Sequence, residues 1–220
     1  MARPLVIEVV GPAGSGKSTV ARLLTARAGV ARAGVWGLPR PLLTASVLRT
    51  LPATATLLRR SRALPLEEMM MLVRLDALAQ FLQRKFNGDL IVLDEGPVFG
   101  LSWLRVAGHR CISDGRFDGW WRHALDHWAD VLHAIVMLDA PDPLLARRIY
   151  ARTQPHRYKG RPEPEFYEFS AVFRSAFDWV LAGLAARGGP RVVTLASDGV
   201  TPGELAHRIC AALEEPTHAD

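Results

Sequence analysis

Gly11-Pro-Ala-Gly-Ser-Gly-Lys17-Ser18 is the stretch of sequence that decides the fold. It matches the pattern G-x-x-x-x-G-K-[ST] in full. The apolar run before it, Leu5 to Val10, is typical of a buried strand, and the pattern after it predicts a helix of about ten residues from Lys17. A strand, a glycine-rich loop and a helix in this order predict a site for the phosphates of a nucleoside triphosphate.

Each type of residue in this loop has a chemical role. Glycines allow positive φ and a close approach of backbone N–H groups to phosphate oxygens. The lysine neutralises the β- and γ-phosphates, and the hydroxyl after it is the expected Mg²⁺ ligand. The predicted contacts to ATP are Gly11, Ala13, Gly14, Ser15, Gly16, Lys17, Ser18 and Thr19.

Short apolar runs alternate with helical patterns along the rest of the chain. This alternation predicts an α/β fold, a five-stranded mostly parallel sheet flanked by helices. The four later strands are expected at residues 34–37, 89–93, 134–138 and 191–195. Further helices are expected at residues 65–85, 117–130, 140–153 and 202–213.

Composition restricts the class of protein. The 220 residues are 49% apolar and 22% charged, which predicts one globular domain over residues 1–220. Two cysteines, Cys111 and Cys210, make no disulfide framework, so a reducing cytoplasm is expected. Charges break the longest apolar runs, so no membrane partner is expected. The basic, proline-rich residues 153–164 predict a lid loop, and residues 215–220 a disordered tail.

The phosphate loop alone does not fix the function, because several classes of protein share it. The chain has no guanine-reading Asn/Thr-Lys-x-Asp and no Asp-x-x-Gly switch, which argues against a GTPase. Motor and AAA-type ATPases generally need more chain for their extra helical or sensor elements, which 220 residues barely permit. The net charge of +5 comes with arginines spread along the chain, which does not favour nucleic acid as a partner. A compact phosphotransferase fits best.

Nearly the whole chain resembles the P-loop nucleoside and nucleotide kinases, thymidylate kinase most closely. The resemblance is carried by the phosphate loop, by the helix with Arg74 followed by Gly88 and the strand that ends at Asp94, by residues 138–152, and by the last strand with its Ala-Ser-Asp-Gly loop. It implies a P-loop kinase fold, ATP as phosphate donor, Mg²⁺ and a small-molecule acceptor.

Two carboxylates are candidates for the chemistry beside the loop. Asp94 comes at the carboxyl end of a buried strand, where it can hold Mg²⁺ directly or through water. Glu95 can do the same or accept the proton of an acceptor hydroxyl, and it can also be a structural carboxylate. The catalytic base therefore stays open between Asp94 and Glu95.

Four basic residues are candidates for contacts to the moving phosphoryl group. Arg148 and Arg152 are four residues apart on a predicted helix, so both lie on one face. Arg157 and Lys159 follow in the lid. A guanidinium holds phosphate oxygens with fixed geometry, and a closing lid excludes water. The alternative for all four residues is a solvated charged face.

The acceptor is the least determined part. Thymidylate kinases have Asp-Arg-Tyr where this chain has Asp94-Glu95-Gly96, so an arginine that binds an acceptor phosphate is replaced by an acid. This replacement favours a neutral acceptor. The aromatic candidates for its pocket are as compatible with core packing. The acceptor candidates are Trp36, Arg40, Arg74, Phe99, Trp103 and Arg105.

The leading hypothesis is an ATP- and Mg²⁺-dependent kinase that moves the γ-phosphoryl group to a hydroxyl or phosphate of a nucleoside, a nucleotide or a similar metabolite. One alternative is a regulatory nucleotide-binding ATPase without an acceptor, and another is a kinase of a non-nucleoside metabolite or antibiotic. A nucleic-acid end kinase has the weakest support. The preference for ATP over GTP and the formation of a homodimer are left open.

Overall fold

The computed structural model describes residues 4–60, 65–84, 88–108, 112 and 115–214. Its strands are β1 Leu5–Val10, β2 Val30–Ala33, β3 Leu90–Asp94, β4 Ala134–Asp139 and β5 Arg191–Ala196. Its helices are α1 Lys17–Thr25, α2 Arg40–Arg60, α3 Leu66–Leu82, α4 Pro97–Ala107, α5 Asp118–Val131, α6 Asp142–Tyr150, α7 Glu163–Ala185 and α8 Pro202–Glu214, with a 3₁₀ turn at Gly115–Phe117.

The five strands form one sheet in the order β2-β3-β1-β4-β5, and every pair is parallel. Val9 of β1 stands beside Asp94 of β3 on one side and Val136 of β4 on the other. The carboxyl ends of the central strands therefore lie along one edge, where the chain switches from one side of β1 to the other. This is the edge at which open α/β sheets bind ligands, and the predicted fold class is confirmed.

Helices cover both faces of the sheet, and this explains why the central strands are apolar on both sides. One core contains Leu78, Leu101 and Phe177 from α3, α4 and α7. The other contains Leu24 from α1 and Ile209 from α8. Glu8, in the middle of β1, is the only fully buried acid among the described residues.

The sequence located most strands to within one residue. The prediction for β1 is confirmed, and those for β3, β4 and β5 differ from the structure only at their ends. The prediction of a strand at residues 34–37 is wrong, because that segment is the loop after β2. The strand itself, Val-Ala-Arg-Ala, carries one β-branched residue and lies at the sheet edge, where its pairing with β3 rather than its own propensity holds it.

Predicted helices agree with the structure apart from their ends. The helix expected at residues 65–85 is α3, and the end expected at Lys85 lies outside the described residues. Cys111 and the tail at residues 215–220 also lie outside them. The predicted lid corresponds to the connection between α6 and α7 together with the first residues of α7. No helix in the described part of the chain is long and apolar enough to cross a membrane.

Candidate active site

The phosphate loop, residues 11–18, forms an open cradle at the start of α1. Gly11, Gly14 and Gly16 have φ values of 149°, 90° and 92°, a region that side chains rarely adopt. Gly16 is the N-cap of α1, so no side chain caps its first N–H groups, and no acid lies in its first turn. The free N–H groups and the positive end of the helix make this an anion site.

The predicted loop residues divide between two sides of the cradle. Ala13 lines a large cleft on one side of the loop, whereas Thr19 lines a smaller cleft on the other side. The hydroxyl of Ser15 is buried with no hydrogen-bond partner among the described residues. The loop therefore separates two spaces that open on its two sides.

Lys17 projects from the start of α1 into the same cleft that Ala13 lines. Its Nζ lies 3.5 Å from the carbonyl oxygen of Pro12 in the same loop. Burial lowers the pKa of Lys17, while the negative charges of Glu95 and Asp94 act against that decrease. The lysine is thus held close to two carboxylates and can neutralise phosphate charge beside them.

Asp94 ends β3 directly beside the loop. The Ser18 hydroxyl donates a hydrogen bond to its Oδ1 over 3.1 Å, and the guanidinium of Arg32 from β2 pairs with its Oδ2. The Asp94 side chain is only 5% exposed. A hydroxyl oxygen beside a carboxylate oxygen is the donor set that Mg²⁺ prefers, with water and phosphate oxygens completing its shell. The two residues predicted to hold Mg²⁺ therefore fit the ion.

Within the described residues, no group of three or more His, Cys, Asp or Glu side chains could hold a metal by itself. A magnesium ion at Ser18 and Asp94 would therefore need the nucleotide to complete its coordination. Arg32 was not predicted from the sequence, because the strand that carries it was placed four residues too late.

Glu95 follows in an unusual backbone conformation. Its φ is 60°, the only positive φ of a non-glycine residue in the described part of the chain. Its carbonyl oxygen accepts a hydrogen bond from Val35 N over 2.9 Å, which ties this turn to the loop after β2. Its partly buried carboxylate makes no hydrogen bond or ion pair with another described residue. Such strain is typical of functional positions.

Glu8 holds the helix that begins behind this turn. Its Oε2 accepts a hydrogen bond from Val98 N over 2.8 Å and its Oε1 one from Phe99 N over 3.0 Å, so it occupies the N-terminus of α4. Burial raises the pKa of Glu8 to about 8, against the lowering effect of these hydrogen bonds. The sequence showed Glu8 only as an interruption of an apolar run, and its role depends on a helix 90 residues later.

A cavity of about 810 Å³ opens at the sheet edge between the phosphate loop, α4, the lid and α7, and we call it the aromatic cleft. Lys17, Glu95 and Arg152 stand at its loop end. Its apolar walls are Phe99, Trp103, Val106, Tyr158, Phe169, Phe173 and Phe177. Its volume suits a small organic molecule.

A second cavity, of about 420 Å³, lies on the other side of Glu95 between β2, β3 and the start of α2. We call it the edge cleft, and Ser18, Arg32, Trp36, Asp94 and Glu95 line it with neighbouring residues. The guanidinium of Arg74 stacks 4.0 Å from the centre of the Trp36 ring, and burial lowers its pKa. Glu95 is therefore the carboxylate shared by both clefts.

The third space is the donor cleft, a cavity of about 350 Å³ on the far side of the phosphate loop. Arg148 and Arg152 of the predicted clamp both line it. The guanidinium of Arg148 bonds Gly14 O over 3.2 Å, Ser197 Oγ over 3.0 Å and Ser197 O over 2.7 Å. Arg148 thus braces the loop against the segment after β5, and Ser197 was not predicted.

Arg152 differs from Arg148 because its guanidinium makes no hydrogen bond or ion pair with another described residue. It lines the donor cleft and the aromatic cleft, so it reaches the point where the two meet. Burial lowers the pKa of Lys17 and that of His156 in the lid, and the positive charge of Arg152 lowers both further. It is the arginine of the pair that can contact a phosphoryl group passing between the clefts.

The lid residues pack against one another and against α7. Arg157 lies over the rings of Tyr158 and Phe169, 5.2 Å and 5.9 Å from their centres, and lines the aromatic cleft. Lys159 instead donates to the carbonyl oxygen of Arg152 and lines none of the three clefts. The lid thus presents one of its two predicted cations to the cleft.

The six acceptor candidates do not form one pocket. Phe99 and Trp103 line the aromatic cleft, while Trp36 and its partner Arg74 lie at the edge cleft. The other two lie elsewhere. Arg40 is exposed at the start of α2, and Arg105 stacks over Trp179 in a separate cavity between α4, α5 and α7.

Arg174 of α7 fixes the helix that leads to the lid. Its guanidinium bonds both carboxylate oxygens of Asp139 over 2.8 Å and 2.9 Å, and it bonds Asp142 Oδ1 over 2.7 Å. These bonds raise its pKa above the usual value. The end of β4, the start of α6 and the middle of α7 are therefore held together below the lid.

Comparison with known proteins supports the fold of this chain but does not assign the chain to a particular protein family. No family model and no curated protein matches the sequence. Among solved structures, the fold is similar to deoxyadenosine kinase from M. mycoides with the products dCMP and a flexible dCDP bound, with a TM-score of 0.57, 14% identity, and 95% of this chain and 98% of that chain covered. It is also similar to the YorR protein from Bacillus subtilis in complex with phosphorylated GDP, with a TM-score of 0.54, 15% identity and coverage of 98% and 99%.

The fold of this chain is therefore similar to that of P-loop nucleoside kinases, in agreement with the strand order and the loop. The more specific resemblance to thymidylate kinase is not shown. At 14–15% identity the likeness concerns the fold, so activity has to be argued from the site.

Proposed function

We propose that this protein is an ATP- and Mg²⁺-dependent kinase that transfers the γ-phosphoryl group to a hydroxyl group of a nucleoside-sized acceptor. The observation that carries the proposal is the place of Glu95. Its carboxylate has no partner among the described residues, lies close enough to Lys17 to affect its pKa, and faces the aromatic cleft. A base, a phosphate-binding lysine and an acceptor-sized space thus meet at one point.

The nucleoside triphosphate would bind with its phosphates in the cradle of residues 11–18 and with its nucleobase in the donor cleft. Arg148 keeps the cradle in shape through its bonds to Gly14 and Ser197. Ser18 and Asp94 would hold the Mg²⁺, which neutralises charge on the β- and γ-phosphate oxygens. Such positioning and neutralisation account for most of the catalysis in phosphoryl transfer.

The reaction follows from this arrangement. The acceptor hydroxyl oxygen attacks the γ-phosphorus, and its proton goes to the Glu95 carboxylate. The bond between the γ-phosphorus and the bridging oxygen breaks, and its electron pair stays on the β-phosphate of ADP. Arg152 and Lys17 stabilise the negative charge on the moving phosphoryl group, and we expect the lid at residues 153–164 to exclude water.

A hydroxyl acceptor is favoured over a phosphate because Glu95 brings a negative charge to the transfer point, and its carboxylate makes no hydrogen bond or ion pair with another described residue. Asp94 beside it is already bonded to Ser18 and Arg32, so both of its carboxylate oxygens have partners. We therefore assign the base to Glu95 and the metal to Asp94. The fold of the neighbours supports a nucleoside, and the aromatic walls Phe99 and Phe173 can stack on a flat ring.

The experiment is a screen of nucleosides, nucleotides and small alcohols for acceptor-stimulated release of ADP. We expect a hydroxyl compound to raise turnover well above basal hydrolysis, with a phosphorylated acceptor as product. Lys17→Ala abolishes the transfer. Glu95→Gln lowers kcat by about 10²-fold or more while the KM for ATP changes little. The control Glu204→Gln, an exposed carboxylate on α8, keeps full activity.

Two outcomes would contradict the proposal. If no acceptor stimulates ADP release, a regulatory ATPase becomes the better description. If a nucleoside monophosphate is the preferred acceptor and Glu95→Gln is fully active, the assignment of the base and of a hydroxyl acceptor is wrong.

A further inference from the structure

Helix α2 is apolar on two opposite faces. Its inner face is buried, with Leu42 and Leu57 in the core against α3. Its outer face carries Leu48, Leu51 and Leu58, which are 70%, 50% and 41% exposed. A surface helix normally has polar residues on the side away from the core. The outer face of α2 therefore has the character of a surface that something covers.

The exposed leucines are arranged as one stripe. Leu48, Leu51 and Leu58 follow one another at steps of three and seven residues, and Ala55 fills the step between the last two. These steps place their side chains along one side of a helix. Val47, 45% exposed, borders the stripe. The helix runs for 21 residues, and the stripe from Val47 to Leu58 covers a little over half of its length.

The charge of α2 identifies the kind of partner. Between residues 40 and 60 the sequence has four arginines and no aspartate or glutamate. Arg49 pairs with Asp76 of α3 over 3.3 Å, but Arg40 and Arg59 are exposed and have no ion pair with another described residue. An apolar stripe flanked by arginines on a helix without acids is typical of a helix that lies on an anionic lipid surface.

A second copy of the chain fits this surface less well. A two-fold contact between outer faces would bring two acid-free helices together, so their arginines would meet no carboxylate from α2. The broken apolar runs that led us to expect no membrane partner concern spanning helices. A helix in the plane of the interface needs only one apolar side.

We propose that the outer face of α2, formed by Val47, Leu48, Leu51 and Leu58, binds the surface of anionic membranes. The leucines enter the boundary between headgroups and acyl chains, and Arg40 and Arg59 contact lipid phosphates. This inference does not depend on the proposed kinase reaction, because it uses none of the residues of the three clefts.

The test is flotation of the full-length protein with vesicles of phosphatidylcholine alone or of phosphatidylcholine mixed with phosphatidylglycerol. We expect binding only to the mixed vesicles, decreasing as salt increases. The double variant Leu48→Ser/Leu51→Ser should bind about 10²-fold more weakly, because two partly exposed leucines no longer enter the lipid. Arg40→Gln/Arg59→Gln should weaken binding by about tenfold.

The matched control is Leu23→Ser/Val192→Ser, which removes two apolar side chains of 41% and 40% exposure from α1 and β5. It should bind vesicles like the wild type. Equal loss of binding in this control, or no flotation of the wild type, overturns the proposal. So does a wild-type dimer in sedimentation equilibrium that Leu48→Ser/Leu51→Ser dissociates, because the stripe would then bind a second copy.

Discussion

The buried carboxyl of Glu8 predicts an unusual dependence of stability on pH. Its pKa is raised from 4.5 to about 8 in the folded protein, because burial disfavours the charged form. A carboxyl group whose pKa is higher in the folded than in the unfolded protein stabilises the fold fully at a pH below its pKa in the unfolded state. This contribution is lost as the pH rises through its pKa in the folded state. The difference between the two pKa values corresponds to about 5 kcal/mol. The free energy of unfolding should therefore fall between pH 5 and 8, by up to about 1.4 kcal/mol per pH unit.

Urea unfolding followed by circular dichroism at several pH values from 5 to 8 measures this slope. Glu8→Gln should remove most of it, because the amide does not titrate. At pH 5 the same variant should be less stable than the wild type, since its NH₂ group faces backbone N–H donors of α4. Glu204→Gln, which removes an exposed carboxylate, should keep the wild-type slope. An unchanged slope in Glu8→Gln would refute the reasoning.

Three further substitutions test the geometry of the site. In Gly34→Ala the new Cβ would lie 2.2 Å from the carbonyl oxygen of Asp94. We therefore expect kcat to fall on the order of tenfold while the secondary structure is kept. An unchanged kcat would contradict the close approach. Arg148→Met should raise the KM for ATP by about tenfold, because the loop loses the hydrogen bonds that tie it to Ser197 through Arg148. An unchanged KM would show that these hydrogen bonds do not support the loop. Arg174→Met should lower the free energy of unfolding by about 1–2 kcal/mol, since it leaves the partly exposed Asp139 and Asp142 without their ion pairs. An unchanged midpoint of thermal unfolding would contradict this.

The parts of the fold that the sequence predicted are those determined by local pattern. The strand before the phosphate loop and the loop itself are contiguous. β4 is an apolar run as far as Leu138, and β5 carries Val192, Val193 and Leu195. Strand β2 is different, because its four residues form a strand only through pairing with β3. Helix α4 was also not predicted. It begins at Gly96-Pro97, and the group that satisfies its first N–H donors is Glu8, far away in sequence.

The candidate site shows the same division. Lys17, Ser18 and Asp94 could be placed together from the sequence, because the carboxyl ends of neighbouring parallel strands share one edge. The acceptor residues could not, because their orientation depends on how each helix is rotated. Phe99 and Arg105 lie on the same helix, yet they face different cavities.

The turn from β3 into α4 accounts for the glycine at position 96, where the pattern of thymidylate kinases has a tyrosine. Gly96 has no room for a side chain, since a Cβ there would lie 2.8 Å from Cδ of Glu8. Glu8 in turn fixes the first N–H groups of α4, and with them the position at which Glu95 leaves the strand. A left-handed backbone conformation at Glu95 costs about 1 kcal/mol or more. A residue keeps such a conformation only where the surrounding structure holds it in place. The buried carboxyl of Glu8 thus fixes the turn in which the partly buried Glu95 lies, which agrees with the role proposed for Glu95 toward a hydroxyl acceptor.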